Sequence, residues 1–212
     1  MADYNDKFIA GKQRIAQRRI VLPDAGRDPN SRLPPGQHEV KDWPVLDLGI
    51  HPDIPPDQWT LTLSGWIEQP RVLTWTEFLA LPQIERVTDF HCVTSWSRLQ
   101  NRWRGVAFRT LCELVRPKPN ASYVYFIAYD DYSTNLPLSL ANDDALLAHE
   151  WEGQPLPREH GGPVRVVVEK VYAWKGAKWV KEIQFLPHDR LGFWELRGYS
   201  NTANPWTDDR YA

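Results

Sequence analysis

Two cysteines are all that this 212-residue chain contains, and that scarcity excludes most sulfur-based architectures. A disulfide framework needs cysteine pairs at regular spacings, and an iron–sulfur cluster needs several thiolates together. An excess of one charge is also missing. The formal net charge of −2 excludes a general nucleic-acid binder, which would carry a strong basic surplus. No stretch approaches the roughly 20 apolar residues of a membrane-spanning helix. No Gly-x-Gly-x-x-Gly follows a strand pattern, so the dinucleotide fingerprint is absent. The twin Arg18-Arg19 is followed by Val21-Leu22-Pro23 rather than an apolar export region, so a soluble, cytoplasmic protein is expected.

What the chain does have is 18 prolines and 11 tryptophans. The prolines imply many extended connections, and the tryptophans imply broad flat surfaces in the core or around a pocket. Residues 1–22 form a basic N-terminal segment, with a short helix expected over 5–20. Residues 23–212 then read as one domain, which suits a chain of this length. Pro23 to Pro56 is expected to wrap the domain as extended chain, because Trp43, Val45, Leu46 and Leu48 do not belong to a disordered tail.

Trp59 to Ile67 alternates apolar and polar residues, the period of a half-buried strand. Thr74-Trp75-Thr76-Glu77 is a capping box opening a short helix through Leu81. Strands are expected over 84–91, 123–129, 163–171 and 179–186, and helices over 108–115 and 139–150. The last 25 residues read as a lid or loop. Strands and short helices alternate irregularly, which predicts an α+β fold with mixed sheets.

Two segments carry chemistry. Cys92 stands where the apolar strand ending at His91 meets the polar run Arg98 to Arg104, so its thiol can face a ligand. His91 would then point to the opposite side. Cys112, inside Leu111-Cys112-Glu113-Leu114-Val115, reads as a small core hydrophobe. The second segment is Leu156-Pro157-Arg158-Glu159-His160-Gly161-Gly162-Pro163-Val164-Arg165. Its two glycines permit a close backbone approach, and Arg165 within a valine strand requires an anion or a carboxylate. Trp174-Lys175-Gly176-Ala177-Lys178-Trp179 adds a tight turn whose N–H groups can hold an anion. His160, Arg165 and Lys178 together suit a phosphate. The alternatives are an Arg165 paired with Glu169 or Asp189, a turn histidine, and solvated lysines.

The run from Leu156 to Val168, followed by Lys178-Trp179-Val180-Lys181-Glu182-Ile183, resembles the molybdopterin-binding core of sulfite oxidases. Around the thiol, Cys92-Val93-Thr94-Ser95-Trp96-Ser97 looks more like the bacterial protein-methionine-sulfoxide reductase catalytic subunit of the same superfamily. The resemblance implies an α+β sulfite-oxidase-type fold around one molybdopterin, with molybdenum held by the pterin and by Cys92. It implies cofactor contacts at His160, Arg165, Gly176, Ala177 and Lys178, and an active-site role for Tyr199. The activity implied is two-electron oxygen-atom transfer to or from a small oxo substrate. No haem-ligand motif is present, so a separate electron-transfer partner is implied. Trp96 is a candidate pocket wall, Arg197 a candidate anion contact, and Asp130 and Asp131 candidate pterin contacts. Two other classes fit the same residues: a non-catalytic molybdenum-cofactor-binding protein, and a thiol enzyme with Cys92 as nucleophile and His91 or His160 as base.

Overall fold

Leu61 and Leu63 are fully buried while Thr60, Thr62 and Ser64 are half-buried; this alternation makes the segment a strand with one face on the core. The structure, a computed structural model, describes residues 4–17 and 31–212. Expectations for residues 18–30, including the end of the basic helix and the twin arginine, fall outside the described residues.

The chain begins with α1 (Asp6–Gln17), β1 (His38–Glu39), β2 (Thr60–Gly65), β3 (Arg71–Thr74), α2 (Trp75–Ala80) and β4 (Gln83–His91). It continues through β5 (Trp96–Ala107), α3 (Phe108–Val115), β6 (Tyr123–Ala128), β7 (Ser133–Pro137) and α4 (Leu138–Asp144). The last strands are β8 (Leu146–Trp151), β9 (Gln154–Pro155), β10 (Arg165–Val167) and β11 (Val180–Leu186).

Two mixed sheets result, as the sequence predicts. The six-stranded sheet runs β1-β5-β8-β10, with β4 also on β5 and β9 on β8. The five-stranded sheet runs β3-β2-β11-β6-β7. Each contains one parallel pair, β1 with β5 and β2 with β11, among antiparallel ones. Trp59, Trp103, Tyr172, Phe78, Phe108 and Phe126 are fully buried. Most of the tryptophans are therefore core.

The capping box forms as expected: the Glu77 N–H donates to Thr74 Oγ1 at 3.3 Å, and the Thr74 N–H donates to Glu77 Oε2 at 2.8 Å. Helix α3 also forms, ending at Arg116 in the left-handed region (φ 52°).

Three expectations need correction. The helix over 139–150 stops at Asp144, and Leu146–Trp151 is a strand, because it is pinned between β5 and β10. The strand over 163–171 shrinks to Arg165–Val167. The polar run Arg98 to Arg104 is not a loop but the middle of the 12-residue β5.

Gly105 explains one close passage in this sheet. A Cβ there would lie 2.1 Å from the Leu147 carbonyl oxygen, at the irregularity where β5 meets β8. Gly105→Ala is expected to destabilise the fold by about 1–3 kcal/mol through overpacking; urea unfolding measures it.

Candidate functional site

Strands β4 and β5 form a hairpin, and Cys92 opens its turn. The Cys92 N–H donates to the Trp96 carbonyl at 2.9 Å and the Ser95 N–H to the Cys92 carbonyl at 3.1 Å. Ser95 takes the left-handed conformation (φ 72°) that the turn requires. Two distant groups lock the turn. Gln37 Nε2 donates to the Cys92 carbonyl at 3.1 Å. The buried Arg210 donates to the Val93 carbonyl at 2.7 Å and to Ser95 Oγ at 3.0 Å. A main-chain position fixed from both sides fixes where Cys92 Sγ points. It points into a cleft of about 830 Å³, counting its open mouth.

Cys92 Sγ lies 3.1 Å from Thr94 Oγ1. Burial pushes its pKa up, while the Thr94 contacts and the charges of Lys12 and Arg210 pull it down. Among the described residues no hydrogen bond joins Cys92 Sγ to a basic side chain. His91 turns away to Ser97 Oγ at 2.8 Å, as the strand alternation predicts, and burial lowers its pKa to about 4. Cys112 lies outside the cleft lining and packs against the core.

His160, Arg165, Gly176 and Lys178 line the same cleft as Cys92 and Tyr199. Arg165 is buried and has no carboxylate partner among the described residues. Its guanidinium donates to the His160 carbonyl at 2.9 Å and the Gly176 carbonyl at 3.4 Å, and lies over Trp43 and Phe90. Burial lowers its pKa to about 9, which leaves it charged at neutral pH. Neither Glu169 nor Asp189 meets it: Glu169 accepts from the Asp89 N–H, and Asp189 from Asn135 and Asn201.

His160 stacks flat on Trp43, ring centroids 3.8 Å apart. Burial first, and then Arg165 and Lys178, lower its pKa to about 3. The ring is therefore neutral near pH 7, and of the three residues expected to suit a phosphate only Arg165 and Lys178 carry charge. Lys178 Nζ donates to the Glu159 carbonyl at 2.7 Å, and burial and then Arg165 lower its pKa to about 7.

The glycines permit close approaches, as expected of the pair after His160. A Cβ on Gly161 would meet Lys178, one on Gly162 the Leu156 carbonyl, and one on Gly176 the Val166 carbonyl. The close approach is of protein to protein, and it draws the two segments into one wall. Ala177 is fully buried behind that wall, its carbonyl accepting from the Val166 N–H at 2.8 Å. Lys175 faces the interior, pairing with Glu195 at 2.7 Å.

At the other end, Tyr199 packs on Trp174 and Trp194. Among the described residues its buried hydroxyl has no hydrogen-bond partner of proper geometry, and the nearby Tyr211 hydroxyl donates to the Gln13 carbonyl. Burial, then Tyr211, push its pKa up, so it is a donor and not a phenolate. Trp96 and Asp130 line the cleft; burial raises Asp130 to about 6. Asp131 pairs with Lys181 at 3.0 Å, and Arg197 folds over Phe193, both away from the lining. Sequence reasoning missed Lys12, Trp43, Asp47 and Trp194 on the wall, and Arg210 beneath the turn. No short-range signal brings those positions to Cys92.

The charge balance decides what fits. Three basic groups, Lys12, Arg165 and Lys178, face two acidic ones: Asp47, held ionised by His51 and Gly49 against the effect of burial, and Asp130, raised by burial to about 6 and so still mostly ionised at neutral pH. The cleft favours an anion. Among the described residues no cluster of three or more His, Cys, Asp or Glu would hold a metal ion, so a metal at Cys92 must bring its own chelate. A thiophilic metal on an anionic organic chelate fits both ends.

The model of the oxidoreductase molybdopterin binding domain matches residues 48–194. The chain belongs to this family of molybdopterin-binding oxidoreductases. The uncharacterized oxidoreductase YuiH of Bacillus subtilis (strain 168) is 39% identical over 189 residues, covering 87% of this chain and 94% of its own. The protein-methionine-sulfoxide reductase catalytic subunit MsrP of Burkholderia mallei is 31% identical over 175 residues, covering 72% of this chain and 53% of its own. Thus the chain spans nearly all of the first relative and about half of the second. The sulfane dehydrogenase SoxCD of Paracoccus pantotrophus shares the fold, with TM-score 0.61 at 20% identity, over 65% of this chain and 40% of that one. The sulfite-oxidase-like α+β fold of this oxidoreductase is therefore established.

The lowered Lys178 gives a pH prediction. Its charged form, the one that attracts an anion, predominates below pH 7 and is lost as pH rises. Sulfate affinity of cofactor-free protein should weaken about tenfold between pH 6 and 8 if only that form binds. Lys178→Met should flatten the profile in calorimetric titration.

Proposed function

We propose that the cleft holds molybdopterin with its phosphate at Arg165 and Lys178 and its molybdenum at Cys92, and that the protein catalyses two-electron oxygen-atom transfer to or from a small oxo substrate of sulfite or sulfoxide type. The observation that carries this reading is Arg165: a buried guanidinium bonded, among the described residues, only to carbonyls, in the same cleft as a buried thiol. A buried charge without a counter-ion costs several kcal/mol, and an anionic ligand removes that cost.

When bound, molybdopterin supplies a metal couple two electrons apart at which an oxygen atom is gained or lost. The protein residues do the rest. Cys92 is a soft donor suited to a metal already held by sulfur; burial raises its pKa overall, Thr94, Lys12 and Arg210 offset part of that, and the thiolate is the form a bound metal holds. His160, held flat by Trp43, offers a neutral ring nitrogen to the pterin. Gly176 and Ala177 set the turn that presents Lys178. Tyr199, a buried donor beside Tyr211, donates a hydrogen bond to the substrate oxygen, while Trp96, Trp174 and Trp194 narrow the space left to water. Electrons pass to or from a separate redox partner.

The test is turnover by cofactor-loaded protein, with a methyl sulfoxide plus a reduced dye and with sulfite plus an oxidised dye. One of the two should turn over, and Tyr199→Phe should lower kcat by about 10²-fold, the cost of one lost transition-state donor, with pterin content unchanged. Loaded wild-type protein inert in both directions contradicts the reading.

A further inference from the structure

Helix α1 lies outside the stretch that matches the family model, yet it is tied to the rim of the cleft on several sides. The Tyr4 hydroxyl donates to the Asp130 carbonyl at 2.7 Å, and its ring meets Phe193 edge-on with centroids 5.0 Å apart. The Asn5 N–H reaches the Leu48 carbonyl at 3.4 Å, and the Phe8 ring closes over Gly49, lying 3.1 Å from where a Cβ would stand. From the far side, the Tyr211 hydroxyl donates to the Gln13 carbonyl at 3.1 Å. Of the described apolar side chains of the helix, Phe8 is half exposed and Ile9 packs only partly against the core. Its position comes from these tethers. They join three parts of the wall: the 47–49 loop, the 130–132 turn and the C-terminal residues.

Lys12 is the residue that this placement delivers. It lines the cleft with Cys92 and Lys178, and its only hydrogen bond among the described residues is to the Asp47 carbonyl. An ammonium drawn out of water needs a counter-charge. The Asp47 carboxylate supplies part of it, yet burial still lowers the Lys12 pKa, and Lys178 in the same cleft repels the ammonium. The arrangement is complete only when an anion fills the space beneath the helix.

We propose that α1 is a cap on the cleft and that Lys12 is a further binding residue for the anionic group the cleft takes, so that the anion holds the cap shut and the cap retains the anion. This rests on the reading above in one respect only: there the anion is the phosphate-bearing pterin. Coupling between ligand and cap is reciprocal. An anion that slows opening of the helix is itself released more slowly by the closed helix.

Hydrogen exchange of the amides in residues 6–17 tests the first half, on cofactor-free protein with and without pyrophosphate. Pyrophosphate should slow exchange about fivefold or more in wild type, the low end of ordinary coupling energies, and little in Lys12→Met. Pterin release from loaded protein tests the second half. It should be about fivefold faster or more in Lys12→Met, and faster also in Tyr4→Phe, which loosens a tether without touching charge; unchanged melting temperatures exclude a folding defect. Exchange indifferent to pyrophosphate, together with equal release rates, overturns the cap. Wild-type protein that never carries pterin but whose helix is protected by pyrophosphate upholds the cap and removes the molybdopterin reading instead.

Discussion

Cys92→Ser protein from a host able to make molybdenum cofactor is expected to lose at least about 10²-fold in activity, more than the 10–100-fold typical of losing a group that merely supports a metal ligand. The reasoning is geometric first. The turn that carries Cys92 is fixed by β4–β5 pairing, by Gln37 and by Arg210, so serine at this position should leave the hairpin intact. Serine then offers a hard, protonated oxygen where a soft thiolate is needed. Cys112→Ser serves as the comparison, because Cys112 lies on α3 away from the cleft, where burial raises its pKa to about 12. Full activity in Cys92→Ser would remove Cys92 from the chemistry, while parallel losses in both variants would point to folding.

The second large effect concerns stability. Lys175 and Glu195 form an ion pair at 2.7 Å, their side chains 1% and 0% exposed. Lys175 also donates to Asn135 and Asn201, and Trp174 and Thr134 donate to the same Glu195 oxygen, Oε1, while Oε2 has no partner among the described residues. Lys175→Met keeps the length of the side chain but leaves Glu195 buried without its counter-charge. Such a loss costs about 3–5 kcal/mol, so thermal unfolding should fall by roughly 10 °C or more for a chain of this size. Replacing both partners, Lys175→Met with Glu195→Leu, removes the stranded charge and should recover much of the loss. A single variant as stable as wild type would show that water reaches this pair. The pair matters to the site because it holds the 174–178 turn against the segment carrying Tyr199.

How much of this was legible depends on the range of the interactions. The capping box of α2 and the alternation of β2 are local patterns, and both read correctly. Strand β5 did not. Arg98, Arg102 and Arg104 look like a solvated charge run, yet the arginines lie on the half-buried and exposed positions while Trp103 and Val106 are fully buried. The alternation was present beneath the charge. The end of the expected helix over 139–150 fails for another reason: Leu146 to His149 are all buried between neighbouring strands, and pairing overrides helix preference there. At the site, Cys92 and Arg165 were visible as unusual residues in unusual settings, and Tyr199 only through the family resemblance. Lys12, Trp43 and Arg210 were not, because only the folded chain brings them there. The sequence also could not tell that Lys175 and Lys178, so close along the chain, face opposite ways.

The most direct measurement is molybdenum and pterin content per chain in wild-type protein purified from cofactor-replete cells, by elemental analysis and by fluorescence of the oxidised pterin. The account predicts about one of each per chain, with the metal held at Cys92 as ligand and the chelate at Arg165 and Lys178. Folded wild-type protein from such cells that carries neither would contradict it.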